Sequence, residues 1–163
     1  MGARILKYDI VNHHLSVIEF EPSELCMDFF IMPTEDGLLG VAGIRGSTLH
    51  LWSRKANAGG VEGWTQYRVI ELRTLLPLIT PFETAEVMAF AEGVRVIFIC
   101  TDDGHFTIDL SSEQARKVSE HGKQSLIIPF MSFYTPGMVL ALCLFVILHG
   151  TASSIVSKVV CKF

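Results

Sequence analysis

Short runs that alternate apolar and polar residues, each closed by Gly, Asn or Asp, fill the chain as far as about residue 123. A period of two puts one set of side chains on a single face, so the pattern predicts half-buried β-strands. Residues 5–10 and 15–20 flank Asn12-His13-His14 and predict a hairpin. Residues 38–44 and 48–52 flank Arg45-Gly46-Ser47 and predict a second. The small, polar, Gly-rich stretch 55–63 reads as a loop, and 64–72 alternates again. Residues 87–91, 94–101 and 105–110 predict a meander with turns at Glu92-Gly93 and Asp102-Asp103-Gly104, and 115–119 adds a short strand. Helix signals are sparse. Residues 71–76 allow one or two turns ended by Pro77, and 112–116 suit a helical turn or a strand entry equally.

The hairpin units recur at intervals of roughly forty residues, the period of four-stranded propeller blades. One blade would run through Ile31-Met32, 38–44, 48–52 and 67–72, and the next through 87–91, 94–101, 106–110 and 116–119. The N-terminal hairpin would belong to an earlier blade, and 127–134 would begin a later one. A closed ring takes about four to eight blades. The expected fold is therefore all-β: a partial β-propeller, an open arc of roughly three blades of antiparallel strands, with a C-terminal apolar helix.

Composition narrows the function. The chain has 163 residues, 50% hydrophobic and 18% charged, with net charge -4. That supports one folded core and argues against a disordered chain. The mild acidity argues against a nucleic-acid partner, which would demand a basic surplus. Cys26, Cys100, Cys143 and Cys161 form no C-x-x-C pair, so neither a disulfide framework nor a zinc site is expected, and a reducing compartment is. Early charges, Arg4 and Lys7, argue against a signal peptide.

Several motifs, taken in order, resemble the F-box-associated β-propeller domain of plant, especially grass, F-box proteins. They are Met32-Pro33-Thr34-Glu35-Asp36-Gly37-Leu38-Leu39-Gly40-Val41-Ala42-Gly43-Ile44, Leu49-His50-Leu51-Trp52-Ser53-Arg54-Lys55, Gly63-Trp64 and Arg68-Val69-Ile70-Glu71-Leu72. Phe90-Ala91-Glu92-Gly93, Val96-Ile97-Phe98 and Met131-Ser132-Phe133-Tyr134-Thr135-Pro136-Gly137 complete the set, and the resemblance covers about 5–137. It implies a non-catalytic propeller that recruits an unidentified target protein to an SCF-type ubiquitin ligase, in the cytoplasm or nucleus. A Skp1-type adaptor is an implied partner only where an F-box lies upstream. Met1 opens inside a strand-like unit and the resemblance ends after Gly137, so the expectation is a truncated product without the F-box.

Few residues offer candidate chemistry. Asp102-Asp103-Gly104-His105 places two carboxylates beside a histidine, as a hydrolase or redox site would, but Asp-Gly is also a tight-turn signal, and the turn is preferred. His13-His14 are adjacent, hence on opposite faces of a strand, and lack a spaced third ligand. Gly37, Gly40, Gly43 and Gly46 match no phosphate-loop pattern and suit turns and close packing. Cys26 and Cys100 read as small core residues. Trp52 and Trp64 suit a partner anchor or blade packing, with packing preferred for Trp52. Arg54, Lys55 and Arg68 suit a basic face or solvated strand ends. No enzymatic activity, catalytic residue, cofactor site or metal site is expected.

The tail differs. No charged residue occurs from Gln124 to Ser157, and Met138 to Leu148 is an unbroken apolar run of eleven. The breaker pair Pro136-Gly137 sets an expected boundary between a domain at 1–137 and a tail at 138–163. Eleven residues are too short to span a bilayer, which takes about twenty. Extended to Ser157, the run reaches the hydropathy of a spanning helix, flanked by Lys158 and Lys162. A helix over 138–157 is expected, standing apart from the β domain. It either anchors a single-pass membrane protein or packs and self-associates in solution. Neither a myristoylation nor a prenylation signal is present.

Overall fold

The computed structural model describes residues 3–20, 29–77 and 84–120 in full, and the backbone of Ser125–Met131, Leu142–His149 and Ser157–Lys162 as strands. The described chain is mostly β, in antiparallel sheets. β1 (Ala3–Asp9) and β2 (His14–Phe20) form the N-terminal hairpin. Its loop is held by Asp9, whose carboxylate accepts from the Val11 and Asn12 backbone N–H groups at 2.9 and 3.0 Å.

β3 (Phe29–Pro33), β4 (Leu39–Arg45), β5 (Thr48–Ala56) and β6 (Glu62–Glu71) form a four-stranded meander. β5 and β6 run further than their alternation predicts, which shortens the loop to residues 57–61. There the Asn57 side-chain oxygen accepts from the Gly59 and Val61 N–H groups, both at 3.0 Å, and completes the turn. The predicted turn after β6 is a short 3₁₀ segment, Leu72–Thr74, capped by the Glu71 side chain.

β7 (Glu86–Ala91), β8 (Val96–Thr101), β9 (Gly104–Asp109) and β10 (Ala115–Ser119) repeat the meander. Residues 112–116, ambiguous in the sequence, enter β10 as a turn and strand. Of 127–134, the described part belongs to β11 (Ser125–Met131), which pairs with β12 (Leu142–His149), and β12 pairs with β13 (Ser157–Lys162).

The sheets stack face on face. Met32, Ala42, Ile44, Leu49, Leu51 and Ile70 of the first meander meet Ile97, Ile99, Phe106, Ile108 and Leu110 of the second in one core. The alternate residues of the first meander, Val41 and Trp52, face the other way and pack on Ile5, Ile18 and Phe20 of the hairpin. Inner strands covered on both faces lose alternation and read as continuous apolar runs. All six residues of β8 are accordingly buried. β7 lies against β3 and β4 of the preceding sheet and also touches β11.

The expected C-terminal helix is not found over 142–149. Residues 142–149 are strand, paired on both sides, and Ser157 opens another strand. A run apolar at every position has no periodicity to choose helix over strand, and Phe145-Val146-Ile147 favours the strand. The remainder of 138–157 lies outside the described residues. Among the described residues, no helix is long and apolar enough to cross a membrane.

Candidate functional site

Two turns at the same end of successive sheets build a concavity. Between β3 and β4, Thr34 closes a tight loop. Its N–H donates to the Leu38 carbonyl at 2.9 Å, and its hydroxyl accepts from the Leu38 N–H at 3.0 Å. Gly37 supplies the positive φ of +70° that this loop needs. Between β7 and β8, a 3₁₀ turn over Glu92–Val94 ends on Arg95 in the left-handed conformation, φ 55°. The Leu110 N–H donates to the Arg95 carbonyl at 3.0 Å, holding this turn to the end of β9.

Sheet stacking brings the two turns together, and Arg95 forms an ion pair with Glu35 across the junction. Beside it lies a cleft of about 340 Å³. Met32, Phe90 and Leu110 supply its apolar lining, and Tyr67 stands at one side. Thr34, Glu35, Glu92 and Arg95 supply its polar groups. Burial raises the Tyr67 phenol above its ordinary value, against the opposing pull of Arg68. The phenol is therefore protonated at neutral pH and available as a donor. Glu35 and Arg95 offset one another, while Glu92 adds a carboxylate acceptor. Among the described residues, none of those lining the cleft is a cysteine, histidine or lysine. Next to the cleft, Arg68 reaches from β6 to the following sheet, donating to the Leu110 carbonyl and to Glu113 Oε1, the latter at 2.7 Å.

Of the residues singled out in the sequence, Gly37 lines the cleft and Arg68 stands next to it, while the Asp and His candidates lie elsewhere. Asp102 and Asp103 are the central pair of the β8–β9 turn, with Thr101 paired to Gly104. The Thr101 hydroxyl accepts from the Asp103 N–H and donates to the Gly104 carbonyl, both at 3.1 Å. Asp102 is exposed at the tip, whereas His105 is fully buried, paired in register with buried Cys100. Cys26 lies outside the described residues. His13, in the hairpin loop, has Nδ1 3.0 Å from the Tyr8 hydroxyl, and His14 opens β2. Among the described residues, no group of three His, Cys, Asp or Glu side chains is placed to hold a metal.

Gly37 serves a turn, and Gly40 packs against the Met32 and Trp52 carbonyls. Trp52 is 5% exposed and belongs to the hairpin–sheet core, with Trp64 packed against that core. Arg54, Lys55 and Arg68 do not make a basic face, because each is paired with an acid: Glu62 at 2.9 Å, Asp36 at 3.4 Å and Glu113 at 2.7 Å. The cleft was not legible in the sequence because Glu35 and Tyr67 stand far apart in the first meander and Arg95 belongs to the second. The motif over 32–37 and the Glu92-Gly93 turn signal marked parts of its walls without showing that they meet. No protein-family model, curated protein or solved structure matches this chain.

Proposed function

We propose that the chain is a non-catalytic protein-interaction module with a partial β-propeller fold, and that the cleft beside Glu35 and Arg95 is where a target segment docks. The observation that carries this reading is the cleft itself. It joins the equivalent turns of two successive meanders, and it mixes an apolar floor with a phenol donor, a carboxylate acceptor and a self-neutralised ion pair. Such a lining suits the amide groups and mixed side chains of a peptide. The serial stacking of meanders, with β7 against β3, supports the propeller reading. The use of Asp102 and Asp103 in a turn supports a binding role over catalysis. The resemblance in the sequence extends this to target recruitment for an SCF-type ubiquitin ligase, with a Skp1-type adaptor where an F-box is present.

The test is site-specific photo-crosslinking. A photoreactive residue replacing Glu92 is expected to capture one discrete target in cell extract, and Tyr67→Ala is expected to abolish that capture. Equal capture from a probe at exposed Glu120, on the opposite end of the meander, overturns the assignment.

A further inference from the structure

The N-terminal hairpin buries one face and leaves the other bare. Ile5, Ile18 and Phe20 seat on the neighbouring sheet. The opposite face carries Leu6, Tyr8, Leu15 and Val17, exposed by 68%, 55%, 59% and 52%. The register makes these residues two cross-strand pairs, Leu6 with Val17 and Tyr8 with Leu15, so the patch is contiguous. The next pair along, Arg4 opposite Glu19, is also exposed and ends the patch with one charge of each sign. A sheet buried on one side ordinarily carries polar residues on the other, and a contiguous apolar patch marks an interaction site.

We propose that this face is the interface for a second copy of the chain, the two hairpins stacking about a two-fold axis parallel to their strands. The charge arrangement selects both occupant and axis. Rotation about that axis lays β1 of one copy over β2 of the other, with the height along the strand preserved. Leu6 then meets Val17 of the second copy, Tyr8 meets Leu15, and Arg4 and Glu19 meet each other twice. A two-fold axis across the strands would instead lay the charged pair over the apolar hairpin tip, where Ile10 and Val11 are 77% and 87% exposed. Packed sheets separate by about 10 Å, within reach of these side chains. Both copies use the same patch, so the assembly closes at two. The contact stands apart from the cleft and does not depend on its role.

Sedimentation of the full chain across a concentration series tests the proposal. Arg4→Glu gives a copy with two acids at the patch end, and Glu19→Arg gives one with two bases. The wild type is expected to dimerise. Each variant alone is expected to dimerise at least about tenfold more weakly, because like charges then face each other. A one-to-one mixture of the two variants is expected to restore the pair as a heterodimer, which a purely intrachain effect would not do. Val17→Lys, at an exposed position, is expected to give monomer. A wild type that stays monomeric at every concentration overturns the proposal and assigns the face to another molecule. Association beyond two copies, a dimer indifferent to Val17→Lys, or a mixture that stays monomeric overturns it as well.

Discussion

The indole Nε1 of Trp64 donates a hydrogen bond to the carbonyl oxygen of Glu19 at 2.9 Å, joining positions 45 residues apart. The bond ties the outer strand of the first meander to the N-terminal hairpin. Directly beside Glu19, Phe20 packs its ring edge-on to Trp64 at 4.6 Å and to Trp52 at 6.0 Å between centroids. The hairpin is therefore docked by an aromatic cluster with one polar fixing point, since its two strands alone would be marginal in water.

Removing that ring should release the hairpin. Phe20 is 2% exposed, so Phe20→Ala is expected to cost about 3–5 kcal/mol. Trp64→Phe keeps most of the ring contact and loses the hydrogen bond, for about 1 kcal/mol. Urea denaturation gives both values. Equal effects of the two substitutions would contradict the docking account.

Gly104 is required for a different reason. Its φ is +128°, and a Cβ there would lie 2.1 Å from the Ser119 carbonyl oxygen of the neighbouring strand. Gly104→Ala is therefore expected to separate β9 from β10 or distort the turn, at a cost of about 3 kcal/mol. Gly37 has φ +70° and open space around it, so Gly37→Ala is expected to cost only about 1 kcal/mol. Paired melting curves would show the difference.

Two arginines bridge the same pair of sheets with unequal weight. Arg68 is largely covered and bonds both a backbone carbonyl and Glu113. Arg68→Met keeps the stem, drops both bonds, and is expected to cost about 2 kcal/mol. The Glu35 partner of Arg95 is 59% exposed, so Glu35→Gln is expected to change stability by no more than about 1 kcal/mol. A larger effect at Glu35 than at Arg68 would reverse this ranking.

Acid should weaken the β9–β10 loop. Burial alone would raise the Asp109 carboxyl, but the N–H groups of Ser111 and Ser112, the Ser112 hydroxyl and the Arg95 charge outweigh it, leaving the group below its ordinary 3.8. A carboxyl depressed in the folded state adds stability that is complete above its unfolded value and disappears as pH falls through the folded one. Stability is expected to decline below about pH 4, and Asp109→Asn is expected to flatten that decline while leaving the slope above pH 6 unchanged. Melting temperatures across an acid series would decide it.

Local signals carried much of the strand layout. The alternation over 5–10 and 15–20 appears as β1 and β2, and Asp102-Asp103 appears as the turn between β8 and β9. Each of these features is set by residues within one hairpin. The loop at 55–63 was overestimated because β5 and β6 continue pairing through polar residues such as Lys55 and Glu62, which alternation does not mark.

The amino-acid sequence by itself determined the antiparallel meanders, their turns and, among the described residues of 3–120, the absence of long amphipathic helices, because alternation and turn chemistry act over a few residues. Tertiary structure alone decided the rest. It made the uniformly apolar residues 142–149 a strand, since backbone pairing with β11 and β13 supplies the direction that an unpatterned run lacks. It also joined Glu35 to Arg95 and set Tyr67 beside them. Residues from separate hairpins meet only when apolar faces stack, and burial of those faces is non-directional until the whole set of sheets is in place.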